Sequence, residues 1–187
     1  MNKNINIKDE HWLPSEPFPD VIAGDDMLLC LHDTSDNHIN EMVNLEERNW
    51  NDFKDYLTRH FSNYDKAKEF IEKRLELTKK GWLVDYAIKL FSNKTIGGLS
   101  FVNLGYKSCE AIYYLDRHYR GMGFISKALK IAEGELKKLG FETIVLDINK
   151  NNNASVNVAN KNNYIPQSPS YPESAMVNFV KDISTQR

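Results

Sequence analysis

A chain of 187 residues with 41% hydrophobic and 27% charged side chains has ordinary globular composition and enough apolar residues for one domain with a sizeable core. The formal net charge of -2 provides no basic footprint for direct nucleic-acid binding. No apolar run is long enough to cross a bilayer and residues 1–10 lack an apolar core, so no membrane association is expected and the cytoplasm is the expected compartment.

Residues 1–26 are polar and carry Pro14, Pro17 and Pro19, which predicts an extended lead-in packed over the edge of a domain spanning 27–187. Met27-Leu28-Leu29-Cys30-Leu31 reads as the first strand. Ser35 or Asp36 can cap a helix with Ile39, Met42, Val43 and Leu45 on one face. A second helix is predicted from about Asp65, with Ala67, Phe70, Ile71, Leu75 and Leu77 apolar, to a stop at Gly81, leaving Trp50, Phe53 and Tyr56 between the two. Strands at Leu83–Leu90 and Thr95–Val102, joined by a turn at Ser92-Asn93-Lys94, read as a hairpin that Cys109–Leu115 extends. A helix then carries Ile125, Ala128, Leu129, Ala132, Leu136 and Leu139 at helical spacing and ends at Gly140. A strand at Thr143–Ile148, a short helix and terminal strands near Tyr164 and Met176–Ile183 complete the chain. The order predicts a single α/β (α+β) domain whose mixed, mostly antiparallel sheet is flanked by helices.

Cys30 and Cys109, the only cysteines, are far apart and have no histidine partner at metal spacing, so both read as buried thiols and no metal site is expected. Asn93-Lys94-Thr95 and Asn153-Ala154-Ser155 match the glycosylation sequon, which has no use without a secretory signal.

The chemistry concentrates at Arg120-Gly121-Met122-Gly123 followed by Phe124-Ile125-Ser126-Lys127-Ala128-Leu129. This stretch joins a predicted strand to a predicted helix through two glycines, which permit a sharp turn and close backbone approach to a ligand. The helix start beyond them favours an anion such as pyrophosphate. A Walker A loop needs Gly-Lys-Ser/Thr, and the dinucleotide fingerprint needs a third glycine where Ser126 stands; neither fits. On its own the glycine pair is also explained by a turn that solves a steric problem.

A second motif narrows the choice: Asn152-Asn153-Ala154-Ser155-Val156-Asn157-Val158-Ala159-Asn160-Lys161-Asn162-Asn163-Tyr164. The first stretch resembles the GNAT acetyltransferase signature Arg-Gly-x-Gly-Tyr/Phe-x-Thr/Ser-x-Ala-Leu, and the second resembles its partner Asn-x-x-Ser-x-x-Val/Leu-x-x-Lys-x-Gly-Phe. Within that superfamily the chain is most similar to the ribosomal-protein N-terminal acetyltransferases. The resemblance covers about Val84 to Pro166.

The resemblance implies a fold whose central strands splay apart to form an acyl-CoA cleft, and acetyl-CoA as acyl donor with no metal. It implies donor contacts at Tyr114, Leu115, His118, Arg120, Gly121, Met122, Gly123, Ser126, Asn152, Asn160 and Lys161. It places the Asn152 side chain on the pantetheine amide, and Ser155 near the thioester sulfur as proton donor to the thiolate. Asn152 and Ser155 also read as helix caps. Glu110 matches the glutamate of Glu-Ile-Gly-Tyr-x-Leu, written here Glu110-Ala111-Ile112-Tyr113-Tyr114-Leu115, and is the candidate base, acting through water. An exposed strand-end glutamate is the bland reading of the same residue, as a solvent-facing arginine is for Arg120.

Three positions depart from the pattern. Ile112 replaces a glycine in the acceptor pocket, and Arg117 replaces a common proline. Asn163 replaces a glycine where a left-handed backbone is wanted, a conformation asparagine tolerates. His118 belongs on the phosphate side of the loop, which makes base duty unfavourable for it. The acceptor implied is a peptide or protein N-terminal amine. A small amine such as a polyamine, aminoglycoside or amino acid remains open, as do a non-catalytic acyl-CoA-binding module and a homodimer.

Overall fold

The computed structural model describes residues 12–54, 61, 63–167 and 174–185. Strands β1 (Val21–Ala23) and β2 (Met27–Leu31) precede helices α1 (Asp36–Phe53) and α2 (Tyr64–Lys79). Strands β3 (Leu83–Leu90), β4 (Thr95–Gly105) and β5 (Ser108–Leu115) follow, then a single 3-10 turn at Arg117–Tyr119 and α3 (Phe124–Lys138). The chain continues through β6 (Thr143–Asn149), α4 (Asn153–Lys161), β7 (Ile165–Pro166) and β8 (Met176–Asp182). All eight strands form one sheet in the order β1-β2-β3-β4-β5-β6-β8-β7. Among the described strands only β5 and β6 run parallel, because α3 crosses over between them. The fold is the expected single α/β domain with an open, mostly antiparallel mixed sheet.

Alternation along the strands sorts side chains to two faces. Val84, Tyr86 and Ile88 of β3, Leu99 and Phe101 of β4, and Ile144, Leu146 and Ile148 of β6 join Ile125, Ala128, Leu129, Ala132 and Leu136 of α3 in the main core. The opposite face receives α1 and α2 through a smaller cluster of Ile39, Met42, Phe61, Ala67 and Ile71. Arg74 of α2 grips the Asp85 carboxylate of β3 with Nη2 at 2.8 Å and Nε closer still, locking that layer to the sheet.

Three expectations are corrected. Within the segment read as a lead-in, Val21–Ala23 pairs with β2 as an edge strand, and Phe18 and Ile22 enter the core. Trp50 and Phe53 do not lie between two helices: α1 runs through both, because Glu46 and Asn49 are buried polar residues that continue the inner face to Phe53. Glu46 Oε1 accepts the Phe61 amide at 2.9 Å and Asn49 Nδ2 donates to the Leu45 carbonyl at 2.9 Å, so neither is orphaned. Tyr56 lies outside the described residues. β4 also extends past Val102 to Gly105.

The capping expectation for α1 holds with Ser35, whose hydroxyl accepts the His38 amide at 3.3 Å. Gly140 stands just past α3 with φ +94° and Gly81 just past α2 with φ +72°. Among the described residues no helix is long and apolar enough to cross a membrane.

Candidate active site

β5 and β6 pair only at Ser108–Thr143, Cys109–Ile144 and Glu110–Val145. Beyond Glu110 the two strands diverge, so backbone groups of Ala111–Leu115 that face the gap lose the partners a continuing ladder would supply. An extended ligand carrying amide groups can take their place. The mouth of this gap is the turn from β5 into α3.

Gly121 has φ +78° and Gly123 has φ +83°, and a Cβ built on either meets nothing within 4 Å. The two glycines therefore relieve the backbone and leave open space, not a crowded protein contact. Gly123 is the N-cap of α3 without any side-chain cap, and the Lys127 amide bonds the Gly123 carbonyl at 3.0 Å. Amides ahead of that bond are free to face an anion. Met122 is exposed and Ser126 half-buried in the first turn.

The turn is braced from α1. Asp116 is buried and accepts Arg48 Nε at 2.6 Å, the His118 amide at 3.1 Å and His118 Nδ1 at 3.0 Å. Asn49 Oδ1 accepts the Arg117 amide at 3.0 Å. Burial alone would push the Asp116 carboxyl upward, yet the Arg48 guanidinium and the His118 donors hold it well below the usual carboxylate range. A depressed folded pKa gives stability that is full above the unfolded value of about 3.9 and is lost as pH falls through the folded value. Asp116→Asn is expected to melt earlier at pH 7, by roughly 2 kcal/mol. The gap between variant and wild type should narrow below about pH 4, where the carboxyl protonates in the unfolded chain while the folded one is still ionised, and close as pH falls through the folded value. Melting temperatures measured from pH 7 to pH 2 check this.

The other sequence-selected residues divide by position. Arg120 turns back onto the protein: Nε donates to the Leu115 carbonyl at 3.1 Å, Nη1 meets Asp52 Oδ2 at 3.1 Å and the guanidinium lies 6.0 Å from the Phe53 ring centre. Its guanidinium braces the loop in this structure. His118 is exposed and tied to Asp116. Leu115 is buried in the main core, and the Tyr114 ring packs on the α1–α2 side, 5.2 Å from Phe53. A Cβ at Gly98 would lie 2.5 Å from Tyr114 Cε1, so the glycine of β4 is what lets that ring lie across the sheet. Tyr114 and Leu115 thus offer the gap their backbone more than their side chains.

Glu110 is half-buried at the last β5–β6 pair, the vertex of the gap. Burial and then the Asp147 charge push its carboxyl up from the usual glutamate value. Asp147 lies two residues past Val145, on the same face of β6, and was not singled out from sequence; the alternation of apolar Ile144, Leu146 and Ile148 with Val145 and Asp147 was the available signal. Asn152 caps α4, its Oδ1 accepting the Ser155 amide at 3.1 Å, which leaves Nδ2 to donate elsewhere. Ser155 is therefore the capped residue and not a second cap. Asn163 adopts φ +62°, the left-handed conformation its position required.

Asn160 and Lys161 sit at the far end of α4, roughly 13 Å along the helix from Asn152. Asn160 is exposed, and Lys161 lines a surface pocket with Lys130, Glu133 and Lys181. Among the described residues no group of three His, Cys, Asp or Glu is arranged to hold a metal ion.

A parallel pair that opens past its third rung, with a glycine-led helix start at the mouth, defines an open α/β architecture suited to a long phosphate-bearing ligand. The model of the acetyltransferase (GNAT) domain family matches residues 29–164, and the chain belongs to that family of acetyl-CoA-dependent acetyltransferases. Among solved structures it is similar to RimL, a ribosomal L7/L12 alpha-N-protein acetyltransferase in complex with coenzyme A. The identity is 21% over 89% of this chain and 99% of that one, with TM-score 0.75. The microcin C7 self-immunity acetyltransferase MccE, in complex with acetyl-CoA and AMP, shares 18% identity over 85% of this chain and 93% of its own, with TM-score 0.75. A ribosomal-protein-S5-alanine acetyltransferase from Vibrio fischeri shares 16% over 89% and 98%, also with TM-score 0.75. No curated protein sequence matches.

Proposed function

We propose that this enzyme moves the acetyl group of acetyl-CoA directly onto the N-terminal amine of a peptide or protein, in a ternary complex within the cytoplasm. The observation that carries the reading is the placement of Glu110 at the vertex of the β5–β6 gap, on the sheet face opposite the main core. Ser155 approaches from the other side, in the first turn of α4, whose Val156 and Val158 pack against that core. A base and an acid on opposite sides of one opening suit an amine entering from the α1–α2 face and a thiolate departing on the α3–α4 side. The similarity to RimL and to the S5-alanine enzyme supports a peptide amine over a small one.

In this scheme the free amides around Gly121–Ser126 hold the pyrophosphate, and Asn152 Nδ2 and the unpaired edge of β5 hold the pantetheine arm. Glu110 receives the amine proton through water, and Ser155 gives one to the departing sulfur. Gly123→Val tests the donor half. A β-branched residue at φ +83° is strained by about 1–3 kcal/mol, and its side chain fills the space left open for phosphate. Calorimetric titration with coenzyme A should show at least a tenfold loss of affinity in the folded variant; unchanged affinity would remove the loop from the donor site. Thiol release from acetyl-CoA, measured against N-terminal peptides and small amines side by side, tests the acceptor half. Turnover with small amines alone would overturn the peptide assignment.

A further inference from the structure

Tyr113 stands on β5 beyond the last pair with β6, and its ring joins the main core together with Val156 and Tyr164. Its hydroxyl is buried and has no hydrogen-bond partner among the described residues. Ser155 is the polar side chain that acts on it, outside full hydrogen-bond geometry. The neighbouring Tyr164 shows what this core does with a hydroxyl it uses structurally: Oη donates to Glu133 Oε1 at 3.1 Å, and Lys181 Nζ completes the group at 2.6 Å from Oε2. An orphaned hydroxyl at the donor side of the gap points to a partner acquired in the working complex.

We propose that Tyr113 is a positioning residue for departure of the thiolate: its hydroxyl donates to Ser155 Oγ once the donor is bound, turning the Ser155 hydrogen toward the sulfur. The proposal rests on the donor reading above. A serine hydroxyl has one hydrogen and two lone pairs; a donor placed on a lone pair leaves the hydrogen for a second acceptor. As the amine nitrogen bonds the carbonyl carbon and the C–S bond breaks, the amine proton leaves to Glu110 and solvent. Ser155 protonates the sulfur and regains its proton from water, so the products are the amide and the free thiol. Tyr113 keeps its own proton throughout, since burial pushes its pKa up and disfavours a tyrosinate.

The thiol of bound coenzyme A reports this arrangement without an acceptor. Ultraviolet absorbance of the thiolate against pH should give a lower pKa for bound than for free coenzyme A. Tyr113→Phe and Ser155→Ala should each raise it by about one unit, and the double variant should raise it no further than the larger single. Because the hydroxyl has no hydrogen-bond partner among the described residues, Tyr113→Phe should melt at or above the wild-type temperature. With an accepted amine its kcat should fall roughly tenfold while KM for acetyl-CoA stays constant. An unchanged thiol pKa in Tyr113→Phe, or a sharp fall in its melting temperature, would overturn the proposal by making the tyrosine a structural residue. Failure of wild-type protein to bind coenzyme A would instead overturn the donor reading itself.

Discussion

Glu110→Gln should lower turnover by roughly a hundredfold or more at neutral pH while leaving coenzyme A affinity unchanged, the range expected for loss of a positioned general base. An N-terminal amine has a pKa of about 7.7–8.0 and must lose a proton before it can attack. Burial at the strand junction and the neighbouring Asp147 push the Glu110 carboxyl upward, so with Glu110 as base the wild-type rate profile should show an acidic limb at higher pH than an ordinary glutamate would give. Glutamine keeps the shape and loses the limb. The variant should then recover part of its rate as pH rises and the amine deprotonates without help. A variant profile parallel to wild type would leave Glu110 as a strand residue and turn attention to Asp147, the other carboxylate at that vertex. Asp147→Asn alone should relieve part of the upward push on Glu110 and move the acidic limb to lower pH.

Much of this arrangement was legible from local pattern. The glycine pair, the helical spacing from Ile125 to Leu139 and the asparagine that caps α4 each act over a few residues, and each leaves its mark in a short window of sequence. The reach of α1 was not legible, because Glu46 and Asn49 look like surface residues and are buried only through partners at Phe61 and Arg117. The brace of the phosphate turn was hidden for the same reason: Arg48 and Asp116 are 68 positions apart, and no periodicity connects them. Gly98 is a third case. Its meaning lies in the Tyr114 ring on the next strand, which register alone brings above it. The splaying of β5 and β6 came from family resemblance and not from the residues of either strand, since both read as continuous strands past the point where their pairing ends.

Ser155→Ala should lower kcat by ten- to a hundredfold and leave both the affinity for coenzyme A and the folding stability nearly unchanged, a combination that separates chemistry from architecture. The cap of α4 is the bond from the Ser155 amide to Asn152 Oδ1, and alanine keeps that amide. Alanine also has the higher helix propensity, so the substitution removes a hydroxyl without weakening the helix. Asn152→Ala is the contrasting variant: it deletes the cap itself, at a cost of about 1 kcal/mol, and with it the amide group assigned to the pantetheine. Its defect should therefore appear in the melting temperature and in donor affinity as well as in turnover. A proton donor to a leaving thiolate acts only as the C–S bond breaks, so its loss lowers kcat and kcat/KM together without a change in KM for the donor. Steady-state kinetics and thermal melts of the two variants side by side decide between the roles. Full turnover in Ser155→Ala would remove Ser155 as the proton donor to the sulfur.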